Sequence, residues 1–217
     1  MRNNQQTSNP FTIALPAGRM SEESINFFDA IGFAKFSSPN DRELSFFDET
    51  KSIRILLVRN QDVPLCLLYG GAQAGVCGRD VMLEHDYDLT MPVSLPFGAC
   101  HLSVAALKEK SDQLFSLPHI RVATKYPRLA ARWFHERGIS CEIITMHGSI
   151  EIAPLIGIAD CIVDLVSTGR TLKANGLVEL HIIQESTALL VANRSSFVLQ
   201  NERMTDLIYK ASQHLQV

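Results

Sequence analysis

The stretch from Glu151 to Leu172 reads EIAPLIGIADCIVDLVSTGRTL, and its punctuation decides how the chain is organised. A short apolar turn ends at Gly157, and an apolar run follows from Cys161 to Leu165. The polar loop Val166-Ser167-Thr168-Gly169 then opens a helix at Arg170, which Asn175-Gly176 closes with C-cap chemistry. A strand, a small-residue loop and a helix N-terminus in that order present backbone N–H groups to an anion. Asp164 falls at the carboxyl end of the strand, where a carboxylate accepts hydrogen bonds from sugar hydroxyls or holds a hydrated cation. Ser167, Thr168 and Thr171 add hydroxyl donors, and Gly169 lets the backbone approach a ligand closely. This is the pattern of a phosphate cradle with an acid beside it. The alternative is a strand-to-helix turn whose Ser, Thr and Gly only cap the helix.

Outward from the cradle, strands and helices alternate. Phe11–Leu15 reads as a strand, Pro16–Arg19 as a loop, and Ser21-Glu22-Glu23 as the capped, acidic start of a helix. That helix carries Ile25, Phe28 and Ile31 on one face and stops at Gly32. Ser37 to Ser52, with Arg42, reads as a hairpin or loop. Ile53–Val58, Ala74–Cys77, His101–Leu107, Ile120–Thr124, Cys141–Met146, Leu180–Ile183 and Ala188–Ala192 read as strands. Val63–Tyr69, Arg79–His85, a segment from Pro127 to Gly138, and Asn201–Leu215 read as helices. This spacing predicts an α/β protein with a parallel or mixed sheet covered on both faces. Glu84-His85-Asp86-Tyr87-Asp88 reads as a solvated helix end and not a metal site, because no ligand pair has fixed spacing.

At 217 residues the chain has room for one large domain or two small ones, and 46% apolar with 20% charged residues is ordinary for a globular protein. A net charge of -3 leaves no basic footprint for nucleic acid. Cys66, Cys77, Cys100, Cys141 and Cys161 are odd in number and fall in no metal spacing, so they read as reduced, buried thiols. Phe11–Leu15 is too short for a signal peptide and nothing later spans a membrane, which points to the cytoplasm.

The fixed positions Glu151, Gly157, Ala159, Ile162, Asp164, Leu165, Thr168, Gly169, Thr171 and Leu172 resemble the signature of the ATP phosphoribosyltransferases. LPAGRM, VRNQDVP and GVCGRDVMLEH carry the likeness through the first part of the chain. FGACHLSVA, RVATKYP and STALLVAN carry it through the rest. The length matches the short form of that family. The resemblance implies two small α/β lobes similar to type II periplasmic binding proteins, with a ligand cleft between them. Residues 1–97 with 187–217 would form the first lobe and 98–186 the second.

The resemblance further implies transfer of phosphoribosyl from phosphoribosyl pyrophosphate to N1 of ATP, with release of pyrophosphate, as the first step of histidine biosynthesis. Glu151, Asp164, Ser167, Thr168, Gly169, Arg170 and Thr171 would bind the phosphoribosyl donor. Arg19 and Arg42 would be catalytic, balancing phosphate charge, and Arg59 with Asp62 would serve ATP. Mg²⁺ would ride on the pyrophosphate, with no metal held by the protein. The implied partner is a regulatory subunit resembling histidyl-tRNA synthetase, joined to a homodimer of this chain within a hetero-oligomer. On the residues alone, Arg19 and Arg42 read equally as surface charges, and Arg59–Asp62 as a surface pair. The chain departs from the family where Ala17-Gly18-Arg19 stands for the usual Lys-Gly-Arg, and where Gln73 stands for the usual Asp. Those departures favour the second reading, a bilobal nucleotide or anion sensor or a paralogue with weakened catalysis.

Overall fold

The computed structural model describes residues 10–36, 43–50, 52–199 and 201–215. The chain divides into two compact α/β units. The first takes the chain up to Val81, Tyr87–Gly98 and everything from Ala188. The second takes Met82–Asp86 and Ala99–Thr187.

In the first unit, β1 (Phe11–Pro16) is apolar except for Thr12 and is buried along its whole length. A strand with two apolar faces is stable only with neighbours on both edges and cover on both sides. It pairs in parallel with β3 (Ile53–Val58) and β4 (Ala74–Gly78). Antiparallel strands finish the sheet: β2 (Ser45–Phe47) on β3, and β11 (Ala188–Ala192) between β4 and β5 (Thr90–Ser94). The order is β2-β3-β1-β4-β11-β5. Helix α1 (Arg19–Ala30) and α8 (Asn201–His214) close one core, where Phe28, Met204, Leu207 and Ala211 meet Phe11, Ile13, Leu15 and Ile55. Two further helices complete the unit, α2 (Val63–Leu68) and α7 (Arg194–Leu199).

The second unit is built on β10-β6-β9-β7-β8, that is Leu177–Ser186, Cys100–Leu107, Cys161–Val166, Ile120–Thr124 and Cys141–Thr145. Strand β7 is parallel to β8 and β9, while β6 runs antiparallel to β9 and β10. Alternation sorts the side chains onto two faces. Leu102, Val104, Val122 and Val163 pack under Leu129, Ala130, Trp133 and Phe134 of α4 (Pro127–Glu136). Ala105, Ala123, Ile162 and Val166 face the other way. They pack with Ile150, with Ala153 of α5 (Ile152–Leu155) and with Leu172 of α6 (Arg170–Ala174).

Several local expectations change. Helix α1 starts at Arg19, not Ser21, because Gly18 at φ 97 supplies the sharp entry that no side chain tolerates well. Ser21 and Ser24 then lie inside the helix and donate back to the Gly18 and Met20 carbonyls at 2.6 Å each. Its buried stripe is Ser21, Ser24, Phe27 and Phe28, with Ile25 and Ile31 at the margin. Strand β5 is hidden in the sequence by Pro92, which an edge strand accepts because its outer N–H has no partner to lose.

Glu84 is not solvated. It is 5% exposed, in α3 (Arg79–His85), and accepts the Arg128 and Leu129 amides at 2.8 and 2.9 Å. It thereby caps α4, whose own N-cap residue Tyr126 offers no side-chain bond. Arg42 lies outside the described residues.

All five cysteines are free, and two of them, Cys77 and Cys161, are fully buried. Burial, with a contribution from Asp80, pushes the Cys77 thiol up to about 12. Burial likewise pushes the Cys161 thiol far up, with Asp160 and Cys141 adding to it. Among the described residues no helix is long and apolar enough to cross a membrane.

The single tryptophan, Trp133, lies 4.9 Å centroid to centroid from the fully buried Phe134 and so reports on the second unit. Phe134→Ala is expected to destabilise that unit by about 3–5 kcal/mol, measured by urea unfolding followed through Trp133 fluorescence.

Candidate functional site

Strand β9 leaves the core at Asp164. Cys161, Ile162 and Val163 are fully buried, Asp164 and Leu165 are half-buried, and Ser167 and Thr168 are exposed. At the turn, Gly169 sits at φ 68 as the N-cap of α6, and a Cβ added there would meet nothing within 4 Å. The position therefore requires glycine for its backbone angle, and the space above it is open to a ligand. Glu151 and the run from Asp164 to Leu172 line a pocket of about 190 Å³. The structure thus brings Glu151, Asp164, Ser167, Thr168, Gly169, Arg170 and Thr171 to one place. Asp164 Oδ1 accepts the Leu165 amide at 2.9 Å. Arg170 Nε donates to Thr168 Oγ1 at 3.3 Å, which leaves the Thr168 proton to serve an acceptor in the pocket. Among the described residues, Glu151 has no hydrogen-bond or ion-pair partner. Helix α6 is only five residues long, so its macrodipole is slight, and the loop's amides and hydroxyls are what an anion would meet.

The amino end of β9, the end away from Asp164, is held by a clamp. Arg121 on β7 grips the Asp160 carboxylate with two guanidinium bonds, Nε to Oδ2 at 3.2 Å and Nη2 to Oδ1 at 2.8 Å. Its backbone amide reaches Oδ2 at 2.8 Å, and Nη1 donates to the Gly157 carbonyl at 2.9 Å. This ties the α5–β9 turn to the neighbouring strand. The Arg121 hydrogen bonds hold the Asp160 carboxyl below the usual carboxylate range, against the opposing effect of burial.

In the first unit, the expected residues gather at the carboxyl ends of the parallel strands, where open α/β sheets bind ligands. Arg19 opens α1 and is largely exposed, 3.6 Å from Glu23. Arg59 and Asp62 bracket a single 3₁₀ turn, closed by the Asp62 amide on the Arg59 carbonyl at 2.9 Å. Sequence reasoning missed their neighbours. Asn60 Oδ1 accepts the Gly78 amide at 3.2 Å, and the buried Asp80 carboxylate packs where a Gly78 Cβ would be, so only glycine fits there. Burial, then the Asp62 and Cys77 charges, raise the Tyr87 hydroxyl in the same cluster. Glycine followed by an acid two residues later was the available signal.

Gln73 lies at the other end of the sheet. Its Oε1 accepts the Thr12 amide at 2.8 Å and its own amide donates to Thr12, extending the β1–β4 pairing. It therefore does not face the carboxyl-end cluster. A larger hollow of about 420 Å³ also opens near that amino end, lined by Asp29, Lys35, Asp48, Ile53 and Arg203. It lies at the opposite end of the first sheet from Arg19, Arg59 and Asp62. Among the described residues no group of three or more His, Cys, Asp or Glu side chains is placed to hold a metal ion.

Comparison with known proteins gives a consistent picture. The family profile described as ATP phosphoribosyltransferase matches residues 59–213. The ATP phosphoribosyltransferase of Leptospira biflexa is 48% identical over 198 residues, covering 91% of this chain and 97% of its own. A chain of the ATP phosphoribosyl transferase (HisG:HisZ) complex from Thermotoga maritima superposes with a TM-score of 0.79 at 32% identity. It covers 94% of this chain and 97% of that one. A periplasmic binding protein from Brucella ovis superposes with a TM-score of 0.53 at 10% identity, over 85% of this chain and 62% of that one. That last likeness shows the fold alone.

The Arg121–Asp160 clamp predicts an acid limb in stability. Because the folded-state value is depressed, the stabilisation is complete above the unfolded carboxyl range near about pH 4 and is lost as pH falls through the lower folded value. Asp160→Asn is expected to lower the urea midpoint at pH 7. It should also reduce the further loss between pH 5 and 3, since the titrating group is gone. Chemical denaturation at both pH values measures this, and parallel acid limbs in the two proteins would contradict it.

Proposed function

The chain belongs to the ATP phosphoribosyltransferase family, and from that premise we propose that the pocket of its second unit holds phosphoribosyl pyrophosphate for attack by ATP. The protein is a catalytic subunit for the first step of histidine biosynthesis. The adenine N1 forms a bond to the ribose C1′ as the bond from C1′ to pyrophosphate breaks. The ribose carbon becomes oxocarbenium-like in passing, so the protein contributes position and electrostatics and no nucleophile of its own.

The observation that carries the assignment is the convergence of two carboxylates and three hydroxyls on one pocket around an open Gly169. In this reading the amides and hydroxyls of Ser167, Thr168, Gly169, Arg170 and Thr171 take the 5′-phosphate. Asp164 and Glu151 accept the ribose hydroxyls. Arg19 and Arg42 offset the charge of the departing pyrophosphate or hold ATP, the guanidinium fork suiting phosphate oxygens. Arg59 and Asp62 serve the adenine nucleotide. Mg²⁺ enters with the substrate on the pyrophosphate oxygens. A protein contribution of one or two carboxylates is enough for such a hydrated ion, and Asp164 and Glu151 can supply it.

The Thermotoga relative was solved as a HisG:HisZ complex. By that analogy, and because the match covers 97% of the Leptospira relative, we place it as a short-form catalytic subunit. Its own homodimer would join a regulatory subunit resembling histidyl-tRNA synthetase. The five free cysteines support a reducing, cytoplasmic setting.

One observation favours a second reading, a paralogue with weakened catalysis. At the end of β1, Ala17 presents no charge where the family commonly has lysine. Following formation of the adenine N1 adduct with the regulatory subunit present separates the two. Turnover supports the enzyme, and tight donor binding without product supports the paralogue. For the pocket itself, Thr168→Ala and Asp164→Ala are each expected to weaken phosphoribosyl pyrophosphate binding by about 1–3 kcal/mol in calorimetry. Unchanged affinity in both would remove the site assignment.

A further inference from the structure

Arg19 is the first residue of α1, where the helix dipole and free amides favour negative charge over positive. The helix therefore gains nothing from a cation there. Pro16, Ala17 and Gly18 bring no charge, so Arg19 is the only fixed cation between the end of β1 and the first turn of α1. Among the described residues its side chain meets one partner, Glu23 one turn further on, with Nε 3.6 Å from Oε1. Neither terminal nitrogen, Nη1 or Nη2, has a partner among them. The Glu23 side chain is 33% exposed, and its Oε2 is closed off from solvent and accepts no hydrogen bond. An acid oxygen left that way is penalised and calls for a use. The other ion pairs of this spacing differ. In Arg132–Glu136 and Asp206–Lys210 the acids are 60% and 46% exposed, and neither leaves an oxygen buried and unpartnered. Those are solvated surface pairs.

A carboxylate next to an arginine that serves phosphate works against binding if charge is its only contribution. It helps if it sets the direction of the guanidinium. A contact at Nε leaves the two terminal nitrogens side by side as a fork, which matches two oxygens of one phosphate. An exposed arginine otherwise loses much rotamer freedom when a ligand fixes it. We propose that Glu23 is a positioning residue for Arg19. It holds the guanidinium by Nε and presents the fork to a phosphate of ATP or of the departing pyrophosphate. The 3.6 Å separation is longer than a hydrogen bond and closes to one when the phosphate is bound, as active-site contacts tighten on loading. The inference rests on the role given to Arg19 above and deepens it by naming the group that aims it.

The test is a double-mutant cycle in steady-state kinetics, on the full chain with the regulatory subunit present. Arg19→Ala is expected to lower kcat/KM for ATP roughly 10- to 100-fold, and Glu23→Ala about 5- to 10-fold. Glu23→Gln keeps an acceptor for Nε without the charge, so it should fall between the wild type and Glu23→Ala. In an Arg19→Ala background, Glu23→Ala should have no further effect. The melting temperature of Glu23→Ala should stay level, because a pair of this kind contributes little to the fold. The parameter that moves names the phosphate. A raised KM for ATP assigns the fork to the nucleotide, and a lowered kcat alone assigns it to the pyrophosphate. If Glu23 acted only through its charge, both of its variants would take ATP with a lower KM, and that result overturns the proposal. Unchanged kinetics in Glu23→Ala, or a loss that persists in full beside Arg19→Ala, also overturns it. A melting temperature that falls in step with activity does so as well, since Glu23 would then be structural. If Arg19→Ala lowers turnover while Glu23→Ala does not, the arginine keeps its role and Glu23 is dismissed. If Arg19→Ala itself leaves the kinetics intact, the role given to Arg19 is wrong and that of Glu23 goes with it.

Discussion

Strand β9 is hydrogen-bonded along both edges, antiparallel to β6 from Cys161 to Val166 and parallel to β7 over Cys161 to Val163. That double pairing is the constraint on which the site depends. A strand held on both sides cannot slip by one residue without turning Ile162 out of one core and Val163 out of the other. With register fixed, Asp164 has one available position, half-buried between Ile162 and Val166 on the face where α5 and α6 stand. The parallel partner ends first, at Val163, so beyond it β9 is paired only with β6 and its other edge opens into the loop. The site is built where one neighbour stops.

The acids of the second unit divide by what they accept. Glu84 is spent on two amides at the start of α4, and Asp160 on an amide and a guanidinium. The same holds in the first unit for Asp48. Burial alone would raise its carboxyl, but the Thr50 hydroxyl and the Ile53, Thr50 and Ser52 amides outweigh that and lower it. These carboxylates stabilise turns and helix ends, and their hydrogen-bonding capacity is used within the fold. Glu151 has no such engagement among the described residues, and it lines the pocket beside Asp164. Rigid surroundings around acids that keep capacity for a ligand are what a preorganised sugar site requires.

Much of this was legible in the sequence, and the unreadable part has a physical pattern. The central strands β1, β3, β7 and β9 could be seen because they are mostly apolar, β1 along its whole buried length and the others broken by a single charged residue. Two edge strands were harder. Strand β5 contains a proline and was missed, and only Leu180–Ile183 of β10 could be read, because β10 carries polar residues and has two register shifts against β6. The cradle was legible because its residues are contiguous and its turn needs a glycine. Glu84 was misread because its partners, the amides at Arg128 and Leu129, lie far along the chain; nothing local distinguishes a capping glutamate from a solvated one. Gln73 could be seen as a departure, yet its place at the amino end of β4 could not, and that place removes it from the carboxyl-end cluster.

The pocket also carries an electrostatic problem. On the proposed reading, a substrate rich in phosphate charge enters a site that already holds two carboxylates. Repulsion between unit charges about 4 Å apart is on the order of 1 kcal/mol even in water and several in a partly desolvated pocket. The five-residue α6 contributes little dipole to offset this. The compensation within the second unit must come from the loop amides and from Arg170 and Lys173 on α6. A divalent cation arriving on the pyrophosphate supplies the rest. It changes the sign of the interaction at the carboxylates, so that Asp164 and Glu151 attract the substrate they would otherwise repel. The acids and the cation therefore require each other. On the proposed reading, a cradle that faces its substrate with two carboxylates should depend steeply on the metal-loaded form of that substrate.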